Sequence, residues 1–171
     1  MPVTSGRSPR IYYELRGASG APPLVVLRGL ARGLKHWPDD FLAALEHHFH
    51  LVLVDNRGVG RSEVVAAPYS TQDMASDVGR VLDDAGIPRA HLFGMSLGGM
   101  IAQWVAIGCP DRVDRLVLGC TTPGGKSSER ARLSVFVSLA RARFADERAR
   151  AEVEARYLLS EEFRTRPATV I

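Results

Sequence analysis

Between residues 11 and 120, short apolar runs alternate with stretches whose apolar residues recur every three or four positions. Few folds accommodate that alternation. A strand, an amphipathic helix and a second strand must lay the helix back on the sheet to bury its apolar stripe, and repeating the unit builds a parallel sheet with helices against its faces. We therefore expect an α/β protein with a predominantly parallel sheet and flanking helices. Residues 11–15 start the sheet, residues 24–27 and 51–55 continue it, and residues 91–95 and 115–120 supply two further strands. Pro38 opens a first helix through Phe41, Leu42 and Leu45. Ser70, with Asp73 three residues later, forms a capping box ahead of a helix whose apolar face is Met74, Val78, Val81 and Leu82. A third helix follows residue 95 almost without a loop, with Ile101, Trp104, Val105 and Gly108 on one face.

After residue 120 the alternation stops. Residues 121–128 are turn formers; beyond them Leu133, Phe136, Val137, Ala140 and Phe144 recur at helical spacing, and a second helical stretch runs through Val153, Tyr157 and Leu158. The chain thus divides into an α/β core over residues 1–122 and a helical segment over 123–171. Its excess charge of +3 falls wholly in residues 126–171, where 10 Lys and Arg meet 7 Asp and Glu, while residues 1–125 carry 12 of each. In the tail, Arg143 with Glu147, Arg148 with Glu152 and Glu152 with Arg156 stand at helical neighbour spacing, the pattern of a solvated helix face rather than a nucleic-acid surface. With 46% apolar and 24% charged residues, the chain of 171 has material for a packed core, and neither disorder nor a coiled coil fits that balance. The longest apolar runs are of strand length, so no membrane span is expected. Cys109 and Cys120 make no disulfide framework, and the polar first ten residues lack a secretory signal's apolar stretch. The expected setting is the reducing cytoplasm.

The chemistry concentrates in Gly94-Met95-Ser96-Leu97-Gly98, a GxSxG pentapeptide followed by Gly99. As a bare pattern it also describes a glycine-rich strand-to-helix turn whose serine merely caps the helix. Its setting, between a strand and a helix, is the one in which such a turn thrusts the serine hydroxyl into the open, Gly94 and Gly98 removing side chains that would collide with strand and helix. Ser96 is then the candidate nucleophile, at a helix N-terminus where unpaired N–H groups favour negative charge on an attacked carbonyl oxygen. A dinucleotide-binding turn would need glycine at position 96.

Two more loops leave the carboxyl ends of strands. In Arg28-Gly29-Leu30, the N–H of Leu30 joins that of Leu97 as the two convergent donors an acyl-transfer oxyanion needs, although an ordinary strand-to-helix loop also contains such a glycine. In Asp55-Asn56-Arg57-Gly58-Val59-Gly60-Arg61-Ser62, Asp55 holds the loop by accepting backbone N–H bonds while Gly58 and Gly60 permit positive φ. The spacing of Arg61-Ser62 does not fit a phosphate-binding loop.

These landmarks, in this order and with the strand at 115–120, resemble the α/β-hydrolase fold superfamily over about residues 9–122, particularly its small esterases, enol-lactonases and haloperoxidase-like members. The resemblance implies Ser96 as nucleophile, Leu30 and Leu97 as oxyanion-hole donors, a small-molecule acyl substrate, and neither metal nor organic cofactor. It makes residues 123–171 the start of a helical cap, in which Leu133, Phe136 and Phe144 either meet an apolar acyl group or simply pack the cap. Members commonly have His where Arg28 stands, and their acid and histidine follow the cap.

The internal histidines are poorly placed to replace that base. His91 begins the strand that Ser96 ends, about 16 Å away at roughly 3.3 Å per residue. His47, His48 and His50 lie on the opposite edge, where they suit a helix C-terminus better than a metal site. His36, in the loop after Gly29, stands on the side of Ser96 and is the internal candidate base, or else a surface histidine. The expected function is a serine hydrolase of carboxylic esters, lactones or related acyl compounds acting through an acyl-enzyme on Ser96, its acid and histidine absent from the chain. The alternative is a catalytically inactive fragment or interaction module completed by a partner chain or a second copy, because a sheet ending at residue 120 leaves an unpaired edge.

Overall fold

In the computed structural model, which describes residues 3–6, 8–125, 128, 133–142 and 144–165, the apolar runs become five strands. They are β1 (Tyr13–Arg16), β2 (Pro23–Leu27), β3 (His50–Val54), β4 (Ala90–Met95) and β5 (Val113–Gly119). They form one sheet of order β1-β3-β2-β4-β5, parallel throughout except for β1, which runs antiparallel to β3. Helix α1 (Asp39–Glu46) connects β2 to β3, α2 (Thr71–Asp84) connects β3 to β4, and α3 (Leu97–Gly108) connects β4 to β5. The α/β architecture with its predominantly parallel sheet is the one the alternation dictates.

Residue parity assigns the faces. Leu24 and Val26 of β2 and Leu51 and Leu53 of β3 are buried with Leu34, Trp37 and Leu42 of α1's side. Val25, Leu27, Val52 and Val54 point the other way, among Met74, Val78, Val81 and Leu82 of α2 and Ile101, Ala102 and Val105 of α3. Strands covered on both faces carry no polar alternation, and each such side chain contributes roughly 1.5–3 kcal/mol over its exposed state.

Some expectations shift, and β5 already begins at Val113, two residues ahead of the expected start. The first strand begins at Tyr13 rather than residue 11, because the N–H of Ile11 donates to Thr4 Oγ1 (3.0 Å) and that of Tyr12 to Ser62 Oγ (2.8 Å). On α3 the buried positions are Gly98, Gly99, Ile101, Ala102 and Val105, while Trp104 is 36% exposed and Gly108 is exposed. The helix is apolar nearly all round, so its spacing alone does not select the face; the small Ala102 fits against the sheet where an indole does not.

Side chains fasten the connections. Ser70 Oγ accepts from the Asp73 N–H (3.2 Å) and the Ser70 N–H donates to Asp73 Oδ2 (2.8 Å), so α2 starts with the capping box; the Ser70 hydroxyl, donating to Asp73 Oδ2 (2.6 Å), and then the Ser70 N–H hold the Asp73 carboxyl below its ordinary range. The loop after β3 is pinned to α2 by Arg57, whose Nε and Nη2 donate to Asp77 Oδ2 (2.6 Å) and Oδ1 (2.8 Å); Arg80 Nη2 also reaches Oδ1 (2.6 Å). At the other end of α2, Asp84 Oδ2 accepts from the Tyr13 hydroxyl (2.8 Å) and its Oδ1 from the Ser5 N–H (3.0 Å). Burial first, then that carboxylate, push Tyr13 up to about 12.

The chain separates into two compact units, Met1–Lys126 with the sheet and α1 to α3, and Ser127–Ile171. In the first, β5 pairs with β4 alone among the described residues, and Leu116, Val117 and Leu118 remain 36%, 54% and 43% exposed. The second contains α4 (Leu133–Ala142), α5 (Glu147–Leu158) and α6 (Glu161–Thr165). Asp146 Oδ1 caps α5 by accepting from the Ala149 N–H (2.9 Å), Arg148 pairs with Glu152 (3.4 Å), and the Tyr157 hydroxyl bonds Ser138 of α4 (3.1 Å). Phe144 does not continue α4's apolar spacing: it lies past the helix end and is 90% exposed. Arg143 and the side chains of Leu133 and Phe136 lie outside the described residues. No helix among the described residues is long and apolar enough to cross a membrane.

Candidate active site

Strand β4 passes into α3 at Ser96 without an intervening loop, and the backbone there bends through φ 56 and ψ −120. An L residue at such angles stores roughly 1–3 kcal/mol, retained only where neighbours fix the chain. Here the Ser96 N–H donates to the Gly119 carbonyl of β5 (2.9 Å), and the Ser96 carbonyl accepts from the Gly99 N–H (2.9 Å) and the Thr121 hydroxyl (2.7 Å). Glycine is required at the two flanking positions for reasons of space: a Cβ on Gly94 would strike the Gly98 backbone, and one on Gly98 would strike the Leu27 carbonyl. The side chain of Ser96 is exposed, and its Oγ makes no hydrogen bond among the described residues.

The loop leaving β2 lies directly against this bend. A Cβ built on Gly29 would be 3.2 Å from Ser96 Cβ and 3.5 Å from Oγ. Leu30 follows, 74% exposed. Among the described residues neither the Leu30 N–H nor the Leu97 N–H has a hydrogen-bond partner. The loop is fastened from below by the segment after β3. Asp55, 3% exposed, accepts from the Leu34 N–H through Oδ1 (2.7 Å) and from the Arg61 N–H through Oδ2 (3.0 Å). Gly58 and Gly60 have φ 74 and 57, and a side chain on Gly60 would collide with the Asp55 carboxylate. Asn56 Nδ2 donates to the Arg28 carbonyl (3.3 Å), and Ser62 Oγ donates to the Asp55 carbonyl (2.6 Å).

Three contributions escaped the sequence reading: the Thr121 hydroxyl on the Ser96 carbonyl, Asn56 on Arg28, and Trp37 beneath Arg28. The first two are one-residue polar contacts from distant segments, without a local pattern to betray them. The guanidinium of Arg28 lies over the Trp37 ring, 4.3 Å from its centre.

His36 sits in a single turn of 3-10 helix, Leu34–His36, where its Nδ1 accepts from the Gly33 N–H (3.1 Å); none of its hydrogen bonds reaches Ser96. His91 stands at the start of β4, with an unpartnered, enclosed Nδ1 and its ring edge-on to Phe49. His50 begins β3 and approaches the Gly17 carbonyl (3.4 Å), while His47 caps the end of α1. Ser96 thus lies against Gly29, next to which stands Leu30, and the Asp55 segment holds that loop rather than the serine. Among the described residues, no three His, Cys, Asp or Glu side chains gather as metal ligands.

The chain belongs to the α/β hydrolase fold family, whose model matches residues 22–159. It is 36% identical over 118 residues to RutD of Azorhizobium caulinodans, a provisionally named carbamate hydrolase, covering 69% of this chain and 43% of that protein. It is 30% identical over 109 residues to 3-oxoadipate enol-lactonase 2 of Acinetobacter baylyi, covering 64% of this chain and 40% of that protein. Among solved structures, the enol-lactonase of Burkholderia xenovorans superposes with a TM-score of 0.74 at 26% identity, covering 95% of this chain and 62% of that one. The chain spans less than half the length of the two curated relatives.

Proposed function

We propose that this chain carries the nucleophile and oxyanion-binding part of a hydrolase acting on carboxylic esters, lactones or related acyl compounds such as carbamates. Ser96 Oγ attacks the acyl carbon, and the negative charge forming on the carbonyl oxygen is received by the N–H groups of Leu30 and Leu97. Collapse of that intermediate expels the alcohol and leaves the acyl group on Ser96; water then attacks the ester and releases the acid. Each backbone donor of this kind is worth about 2.7–4 kcal/mol to the transition state. The general base and its acid come from outside these residues, a reading supported by the chain's share of its relatives' length and by the absence of an imidazole bonded to Ser96 among the described residues. The unpaired Cys109 and Cys120 support a reducing, cytoplasmic setting.

The observation that carries the reading is the conjunction of a strained, exposed serine with the N–H groups of Leu97, next to it in the chain, and of Leu30, in the loop that lies against it, neither with a hydrogen-bond partner among the described residues. Fluorophosphonate labelling tests it: the parent protein takes up the probe on Ser96, and Ser96→Ala loses it. Equal labelling of the two proteins removes Ser96 from the role. A second reading, an interaction module completed by a partner or a second copy, is favoured by the apolar side chains that β5 leaves exposed. Under that reading the folded protein does not react with the probe.

A further inference from the structure

Arg28 leaves β2 immediately before Gly29, the residue that lies against Ser96. Its side chain is half-buried, its Nε is enclosed without a hydrogen-bond partner, and no carboxylate pairs with it among the described residues. What faces it is the Trp37 ring, itself 6% exposed and stacked on Phe41, and the Trp37 Nε1 is likewise enclosed and unpartnered. Other half-buried arginines of the molecule are treated differently: Arg57 and Arg80 are neutralised by Asp77, and Arg112 by Asp83. A ring face offsets part of the loss of water around a guanidinium, but it accepts none of the five in-plane N–H bonds that the group is built to make. Burial, followed by repulsion from Arg32, draws Arg28 below its ordinary range, as expected for a cation lacking an anion.

We propose that Arg28, seated on Trp37 beside the nucleophile, binds a carboxylate carried by the substrate, so that the site selects acyl compounds bearing a second, anionic group. The inference rests on the reading of Ser96 as nucleophile and narrows its substrate class. A carboxylate is the matching anion because the planar guanidinium presents parallel N–H donors at the spacing of its two oxygens.

The chain's two tryptophans, Trp37 and Trp104, allow a direct test. In a Trp104→Phe background, Trp37 emission is titrated with adipate and with its uncharged diamide, in parallel with Arg28→Gln and Arg28→Lys. Adipate is expected to bind at least 10-fold more tightly than the diamide, with the preference lost in Arg28→Gln and partly kept in Arg28→Lys. A preference unchanged in Arg28→Gln, absent from the parent, or matched by inorganic phosphate overturns the assignment. Adipate is further expected to slow fluorophosphonate labelling of Ser96 in the parent more than the diamide does, with the difference gone in Arg28→Gln. Binding at Trp37 without protection of a reactive Ser96 contradicts a site beside the nucleophile. If Ser96 proves unreactive while Trp37 still reports selective binding, the nucleophile reading fails and the anion site stands.

Discussion

Ser96 pairs an unfavourable backbone conformation with an open hydroxyl, and the glycines around it exist because atoms of neighbouring segments occupy the space their side chains would take. Gly98→Ala is expected to cost at least about 2 kcal/mol, since the new methyl meets the Leu27 carbonyl, a backbone atom that cannot swing aside. Urea unfolding reads that cost; a change below about 0.5 kcal/mol contradicts the packing. With no imidazole or carboxylate bonded to its Oγ among the described residues, Ser96 is expected to label faster as pH rises, about tenfold per unit between pH 6 and 8, because hydroxide does the work of the base. A plateau near neutrality would reveal a titrating partner. The bend was legible in the sequence because its requirement for small residues is local. The bed of Arg28 was not: Trp37 reaches it only after α1 has folded onto the sheet, and nothing in the spacing of residues 28 and 37 announces the contact.

At the scale of elements, α2 organises the loop that supports the site. Asp77→Ala leaves Arg57 buried without its partner, and we expect a loss of about 3–5 kcal/mol in chemical denaturation. A loss under 1 kcal/mol would mean the pair is dispensable. Removing the cap with Ser70→Ala costs about 1 kcal/mol, because the Asp73 N–H loses its acceptor. Tyr13 links β1 to the end of α2, and its raised pKa fixes a sign. The unfolded phenol titrates near 10.0 and the folded one at about 12, so its contribution is whole below pH 10 and is lost as pH climbs through 12. Tyr13→Phe flattens that alkaline decline of the unfolding free energy; an identical decline in the variant places its origin elsewhere. Helix α2 was readable residue by residue because polar and apolar positions contrast along it. On α3 the contrast is missing, and the buried face was decided by the sheet beneath, which turned Trp104 outward. The helix expected through Phe144 stops short of it, at Ala142.

At the scale of the sheet, the described residues leave two edge strands, β1 and β5. β1 pairs with β3 alone, in antiparallel register, and β5 with β4 alone among the described strands, where Leu116, Val117 and Leu118 are offered to solvent. We expect sedimentation velocity to detect association that grows with concentration and weakens in Val117→Lys; a parent that stays monomeric throughout argues against a sticky edge. The strands, the helices between them and the predominantly parallel sheet were legible in the alternation of the sequence; the order β1-β3-β2-β4-β5 and the antiparallel β1 were not, because alternation does not say which strands become neighbours. Which edge stays bare depends on how many strands the sheet gathers, a property of the assembled molecule. The central claim concerns one oxygen atom, and a crystal structure of the fluorophosphonate-treated protein measures it. Phosphorus bonded to Ser96 Oγ is expected, with the phosphoryl oxygen about 2.7–3.1 Å from the nitrogens of both Leu30 and Leu97; an adduct whose oxygen turns to solvent, or a probe attached elsewhere, contradicts the role of Ser96.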